Sequence, residues 1–208
     1  MKTAVLRLGD FATQHFIKSI SALDVKLNYR VVGCDFNLIN SLLPGPSREL
    51  DKVFDDLVIG LKKEGYEEVL IPNVTILNYF IDRKLSEQIK VFSPYELLQD
   101  KMEKLGQSKL TFLSSKYLAK EQPFNKYLSE ERVSVLPLSK SDVNYLDSIR
   151  LSIFENGAVD IKQFNNIIAS YPKTVMVLSC SEFSIVNSEL VGNTIDLLSL
   201  QLEEWIAN

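Results

Sequence analysis

Short apolar runs alternate with longer amphipathic stretches along the whole chain, and this pattern predicts the secondary structure. Strand-like apolar runs lie at residues 4–8, 28–33, 68–71, 89–92, 109–113, 133–136 and 174–178. Between and after them, helical periodicity covers residues 13–22, 50–61, 97–105, 141–169 and 194–206, and a further helix begins near Val74. The helical stretch 141–169 is interrupted at Asn156-Gly157. Strands that alternate with helices in this way predict an α/β fold, with parallel sheets covered by helices on both faces.

Composition and charge exclude several classes of protein. The chain has 46% apolar and 24% charged residues, which is typical of a globular protein. Its net charge of −4 gives no basic surface for nucleic acid or anionic lipid. No apolar run is long enough to span a membrane, and the N-terminus lacks the apolar core of a signal peptide. We therefore expect a cytoplasmic protein without nucleic-acid or membrane partners.

The residues that usually carry metal or cofactor chemistry are scarce. His15 is the only histidine, and Cys34 and Cys180 are the only cysteines, which we interpret as free thiols. Motifs such as H-E-x-x-H, C-x-x-C, the phosphate-binding G-x-x-x-x-G-K-[ST] loop and G-x-G-x-x-G do not occur. We therefore expect no protein-held metal and no nucleotide bound through those motifs.

Polar side chains follow several of the predicted strands. Parallel sheets place their functional loops at the carboxyl ends of strands, so these segments are candidates for a binding site. The loops are Gly9-Asp10-Phe11, Asn73-Val74-Thr75, Ser114-Ser115-Lys116 and Ser179-Cys180-Ser181-Glu182. Hydroxyl and amide groups at helix starts can hold a carboxylate together with backbone N–H groups, or they can simply be N-caps. The sequence leaves both interpretations open.

Cys180 is the most distinctive of these side chains. It follows a buried strand and directly precedes a predicted helix start. A helix dipole and its terminal N–H groups lower the pKa of a thiol in such a position, and the thiolate can act as a base or a nucleophile. The alternative is a buried structural cysteine.

Several segments, taken together, resemble the aspartate/glutamate racemase superfamily. Residues 177–183 resemble its G-C-T-E signature, with Ser179 in place of the glycine and Ser181 in place of the threonine. Residues 68–75 resemble the strand and P-C-N-T loop of that family, and residues 113–116 resemble its G-T loop. The opening strand up to Gly9, the segment 34–36 and the pair 193–194 also match in order and spacing, so the resemblance covers essentially the whole chain.

The resemblance implies two similar lobes, each a small parallel sheet flanked by helices, with the active site in the cleft between them. We assign residues 1–93 plus 190–208 to the N-terminal lobe and residues 94–189 to the C-terminal lobe. Racemases of this kind need neither pyridoxal phosphate nor metal, and many are homodimers. A cysteine from each lobe transfers a proton on one face of the substrate's α-carbon, while loop hydroxyls and amides hold the carboxylates and ammonium.

Carried over residue by residue, the resemblance predicts a site with one thiol. Cys180 matches the second catalytic cysteine, whereas Asn73 stands in place of the first, Val74 in place of the family's asparagine and Leu77 in place of its histidine. Cys34 matches no catalytic position, and we interpret it as structural. We expect Cys180 to lie across a cleft from Asn73. The predicted substrate-binding residues are Gly9, Asp10, Phe11, Val74, Thr75, Ser114, Ser115, Lys116 and Ser181.

Several functions are compatible with this pattern. The first is racemase-like proton transfer by Cys180 at the α-carbon of an amino acid or small dicarboxylate, with Thr75, Asp10 or a water on the opposite face. The second is a single-thiol decarboxylase of the arylmalonate decarboxylase type, in which Thr75, Ser114, Ser115 and Ser181 hold the carboxylates. The third is a non-catalytic relative that binds a carboxylate or whose cleft serves a partner. An unrelated doubly wound α/β domain is the fourth.

Overall fold

A computed structural model describes residues 2–23, 27–43, 47–121, 123–156 and 160–208 of the chain. The chain divides into two compact units, Met1–Phe92 and Ser93–Asn208. Each unit contains a four-stranded sheet in which every pairing is parallel, and helices flank both sheets. The predicted α/β class with two lobes is confirmed. Over these described ranges, no helix has the length and apolar character needed to cross a membrane.

The first unit has the sheet order β2-β1-β3-β4. Its elements are β1 Thr3–Arg7, α1 Asp10–Ser21, β2 Tyr29–Gly33, α2 Phe36–Leu42, α3 Arg48–Lys63, β3 Glu68–Leu70, α4 Val74–Asp82 and β4 Lys90–Val91. A short 3-10 turn at Leu85–Glu87 precedes the last strand. The two inner strands, β1 and β3, are buried along nearly their whole length, which agrees with their continuous apolar character.

Helix α3 shows how the sequence determines one of these elements. The hydroxyl of Ser47 accepts a hydrogen bond from the backbone N–H of Leu50 at 3.0 Å, which caps the helix start. Phe54 and Val58, on its apolar face, are fully buried in the core of the first unit. After the helix, Gly65 has a φ of 79°, a conformation that costs glycine little. The helical spacing of residues 50–61 predicted this helix, and α3 is confirmed.

The second unit repeats the strand arrangement with the order β6-β5-β7-β8. Its elements are α5 Tyr95–Lys104, β5 Lys109–Leu113, α6 Lys116–Glu121, β6 Ser134–Val135, α7 Lys140–Asn156, α8 Ile161–Ala169, β7 Val175–Leu178, α9 Ser181–Ser184, β8 Thr194–Asp196 and α10 Leu197–Ala207. Two 3-10 turns lie at Pro123–Tyr127 and Asn187–Glu189. Leu113 and Leu178 are register partners at the carboxyl ends of β5 and β7, so the loops that follow these strands are neighbours.

The assignment of residues 190–208 to the first lobe is wrong. Strand β8 pairs with β7, and the backbone N–H of Met176 donates to the carbonyl of Asn193 at 2.9 Å, so this segment belongs to the second unit. The predicted helix at 194–206 also begins late, at Leu197, because residues 194–196 form the strand. The carboxylate of Asp196 caps that helix by accepting from the N–H of Leu198 at 3.1 Å.

Candidate functional site

Two of the predicted loops meet at the carboxyl edge of the second sheet. The backbone N–H and the hydroxyl of Ser179 both donate to the carbonyl of Leu113, each at 3.0 Å. The next residue on each chain segment is Ser114 on one side and Cys180 on the other. Pairing of β5 with β7 therefore brings together the serine-rich loop and the thiol loop, as expected for parallel neighbours.

The thiol of Cys180 is held in a hydrogen bond. Cys180 is the N-cap residue of the short helix α9, and its Sγ donates to Oε2 of Glu182 at 2.8 Å. Burial raises the pKa of this thiol well above its ordinary value, the negative charge of Glu182 raises the pKa further, and the positive charge of Arg150 opposes both. Cys180 therefore rests as a protonated thiol.

The predicted lowering of the Cys180 pKa by a helix dipole is wrong. Helix α9 has only four residues, so its terminal partial charge is small. Loss of water around the sulfur and the adjacent carboxylate act in the opposite direction and dominate the pKa. The position of Cys180 after β7 and before a helix is as predicted.

Glu182 is a site residue that the sequence did not identify, although it stands within the G-C-T-E-like motif. Its carboxylate is buried, with 7% of the residue exposed, and it accepts hydrogen bonds from Cys180 and from the hydroxyl of Ser181 at 3.2 Å. A carboxylate in contact with a thiol can take the thiol proton and return it. The motif placed Glu182 near Cys180, but only the side-chain geometry shows the contact.

Helix α7 contributes a charged pair to the same edge. Nε of Arg150 donates to Oδ1 of Asp147 at 3.1 Å, and the same carboxylate oxygen accepts from the backbone N–H of Lys116 at 3.2 Å. This network fixes the loop after β5 to α7 and places the positive charge of Arg150 where it acts on Cys180. Two residues three apart on a helix usually form a surface pair, so the sequence carried no signal for this role.

The other predicted residues of the second unit have different environments. Ser115 is an N-cap, because its hydroxyl accepts from the N–H of Leu118 at 3.4 Å, and Ser181 is bonded to Glu182. Ser114 is 1% exposed, and its hydroxyl has no hydrogen-bond partner within the described part of the chain. Lys116 is exposed. Of these four residues, Ser114 has the hydroxyl best placed to bind a ligand atom.

In the first unit, the loop after β1 is open to solvent. Gly9 has a φ of 79° and precedes α1. Asp10 forms an ion pair with Arg7 at 2.7 Å, and both side chains are well exposed. Phe11 is 44% exposed. The carboxylate of Asp10 is thus already paired with a neighbouring guanidinium.

The loop after β3 begins with a helix cap. Oδ1 of Asn73 accepts a hydrogen bond from the backbone N–H of Ile76 at 3.1 Å at the start of α4. Val74 is buried, with 3% exposed, and Thr75 is partly exposed. For Asn73 the structure supports the cap interpretation, and its amide cannot exchange a proton with a carbon acid. The catalytic roles assigned to Cys180 and to the position of Asn73 stay predictions.

Replacing Asn73 by alanine is expected to destabilise the protein by about 1 kcal/mol, because the N–H of Ile76 loses its partner. Aspartate is an equally good cap, so Asn73→Asp should retain most of the stability. Urea unfolding of the three proteins measures this difference. Equal stability of the alanine variant and the original chain would show that the cap contributes nothing.

Cys34 has the environment of a structural thiol. Its sulfur donates to the carbonyl of Arg7 at 3.3 Å, and its side chain packs against the core of the first unit. Burial and the charge of Asp35 raise the pKa of Cys34 to about 11. Both cysteines are free thiols. Within the described ranges, no group of three or more histidine, cysteine, aspartate or glutamate residues could hold a metal.

Comparison with solved structures shows the fold of amino-acid racemases. An aspartate racemase homologue from Pyrococcus horikoshii OT3 has a TM-score of 0.77 at 16% identity, over 99% of this chain and 97% of that one. The aspartate racemase of Picrophilus torridus has a TM-score of 0.67 at 13% identity, over 99% and 92%. The glutamate racemase of Aquifex pyrophilus has a TM-score of 0.61 at 14% identity, over 100% and 84%.

Comparison of the amino-acid sequence gives no match, either to a family model or to a curated protein. At identities this low, the structural likeness shows a shared fold, and it confirms at that level the resemblance inferred from the motifs.

Proposed function

We propose that this chain, which has the fold of the aspartate and glutamate racemases, moves a proton at the carbon next to a carboxylate. The substrate is an amino acid or a small dicarboxylate, and the thiol of Cys180 carries the proton. The observation on which the proposal rests is the 2.8 Å contact from Sγ of Cys180 to the buried carboxylate of Glu182. The racemase fold of the chain supports the class of reaction.

In the proposed reaction, Glu182 and Cys180 share one proton. Transfer of the thiol proton to the carboxylate leaves a thiolate, which removes the α-proton: the C–H bond breaks, an S–H bond forms, and the electron pair stays on the substrate as an enediolate. The reverse step returns a proton from sulfur to carbon. Because the pKa of Cys180 is raised, the proton rests on sulfur, and Glu182 holds it only while the thiolate removes the α-proton.

A single-thiol decarboxylation is the second candidate, and the environments of Asn73 and Cys34 favour it. Asn73 carries an amide that caps a helix, and Cys34 matches no catalytic position of the resemblance, so neither is assigned a thiol proton transfer on the opposite face. In a decarboxylation, the bond to one carboxylate breaks, carbon dioxide leaves, and the electron pair remains as an enediolate. Cys180 then donates its proton to the carbon, and water restores the thiol.

The experiment that tests both candidates is solvent exchange followed by NMR. The protein is incubated in deuterium oxide with a panel of D- and L-amino acids and with methylmalonate and phenylmalonate. Deuterium at the α-carbon of an amino acid, without release of carbon dioxide, supports the first proposal. Release of carbon dioxide with one deuteron in the product supports the second. Neither reaction over the whole panel would overturn proton transfer as the function, and thermal shifts with dicarboxylates would then indicate a binding protein.

A further inference from the structure

A pocket in the second unit opens beside Ser114. It lies between the end of β5, helix α6, the turn Pro123–Tyr127, the segment after β6 and the start of α7. The pocket has a volume of about 50 Å³, measured as the space that the centre of a water molecule can occupy. A single water needs roughly 10–15 Å³ on this measure, so the pocket has room for several waters or a small organic group.

The pocket wall is mainly apolar, and its polar side chains are those of Ser114 and the exposed Asn125. Phe112, on β5, and Phe124, on the turn, stack with ring centroids 3.8 Å apart, and Leu118, Leu136 and Val143 complete the main surfaces. Among the described residues that line it, none carries a charge. Burying a carboxylate or ammonium against such a wall without a partner is costly. The lining therefore favours an uncharged occupant.

Ser114 is the buried polar group of this wall. It lines the pocket, is 1% exposed, and its Oγ has no hydrogen-bond partner in the part of the chain that the structure describes. Ser114, the first residue after β5, lines the same pocket as Phe112 of that strand. Buried hydroxyls nearly always have a partner, so an unsatisfied one at a pocket indicates the position of a ligand or water atom.

We propose that this pocket binds an uncharged, mainly apolar group with one hydrogen-bonding atom, which the hydroxyl of Ser114 holds. Ser114 follows β5 directly beside the loop of Cys180, because Ser179 is bonded to Leu113. A consequence for the substrate follows, and it rests on the proposed function. The group in this pocket is the substituent on the reacting carbon, which is therefore a small alkyl or aryl group. Amino acids or malonates with apolar substituents fit this site better than aspartate or glutamate.

Two matched probes, benzyl alcohol and toluene, test the pocket in the full-length protein by NMR titration of backbone amides. Both have an apolar ring, but only benzyl alcohol can bond to a hydroxyl. We expect both to shift the amides of Ser114, Leu118 and Val143. Ser114→Ala should weaken benzyl alcohol about 2- to 10-fold and leave toluene unchanged, because one hydrogen bond is lost.

A second variant blocks the pocket without removing the hydroxyl. Val143→Phe adds a ring at the wall and should abolish binding of both probes, whereas Ile59→Phe, a similar change at an exposed position of α3, should not. The amide spectrum of each variant shows whether it is folded. Absence of binding by both probes, or an equal effect of Ser114→Ala on both, would overturn the proposal.

Exchange rates separate this inference from the proposed function. With leucine, phenylalanine and aspartate as substrates in deuterium oxide, we expect the two apolar amino acids to exchange faster. Faster exchange of aspartate would overturn the substrate inference and leave proton transfer standing. Binding of the two probes without exchange on any acid would overturn the proposed function and leave the pocket standing.

Discussion

Replacing Cys180 by alanine is expected to abolish deuterium exchange at the α-carbon, with a loss of at least about 10³-fold relative to the original chain. The thiol is the group that gains and loses the proton, and none of its hydrogen-bonded neighbours can replace it at the same position. Cys180→Ser keeps a donor for Glu182 but should be equally inactive, because an alcohol ionises too weakly to serve as the base. Solvent-exchange NMR with the best substrate of the panel measures all three proteins.

The other cysteine provides the matched control. Cys34→Ser retains a hydrogen-bond donor for the carbonyl of Arg7 and is not part of the proposed machinery, so exchange should continue at the original rate. Circular dichroism of each variant checks that the fold is intact. Exchange that survives in folded Cys180→Ala would contradict the role assigned to this thiol. Loss of exchange in Cys34→Ser alone would indicate that the proton transfer depends on the first unit.

Much of the fold could be predicted because local pattern and tertiary burial agree. Strand β5 was predicted at residues 109–113 and is found at Lys109–Leu113, where an apolar run lies in the sheet interior. Strand β8 was missed. Its three residues are too short to show an alternating pattern, and they adjoin the strongly helical segment of α10. Its pairing with β7 is a long-range contact, so the lobe assignment of residues 190–208 failed with it.

The place of Cys180 between β7 and α9 could be predicted, but the environment of its sulfur could not. The motif placed Cys180 correctly after β7, but burial of the sulfur and the direction of the Glu182 side chain are tertiary properties, and they reversed the expected pKa shift. The choice between N-cap and ligand group had the same difficulty. Asn73 and Ser115 are caps, whereas Ser114 is unbonded within the described residues, and the three look alike in sequence. The predicted cleft, homodimer and cytoplasmic location stay predictions.

Replacing Glu182 by glutamine is expected to separate the two effects of this carboxylate on the thiol. The amide carries no charge, so the second cause of the raised pKa of Cys180 disappears and the pKa of the thiol falls toward its ordinary value. In the original chain, thiolate forms only well above the usual pH for cysteine, and in the variant it forms at lower pH. Alkylation of Cys180 by iodoacetamide should therefore begin at lower pH, measured in a Cys34→Ser background.

The rate of α-carbon exchange should fall in this variant, although its thiol ionises more easily. Glutamine cannot take the thiol proton, so α-carbon exchange is expected to fall by about 10²-fold even though more thiolate is present. Glu189→Gln, which removes a charge from an exposed turn of the same unit, should leave both the alkylation profile and the exchange rate unchanged. A merely structural role for Glu182 would lower exchange without moving the alkylation profile. A profile that stays in place would show that the carboxylate does not control the protonation of Cys180, and the shared-proton mechanism would have to be abandoned.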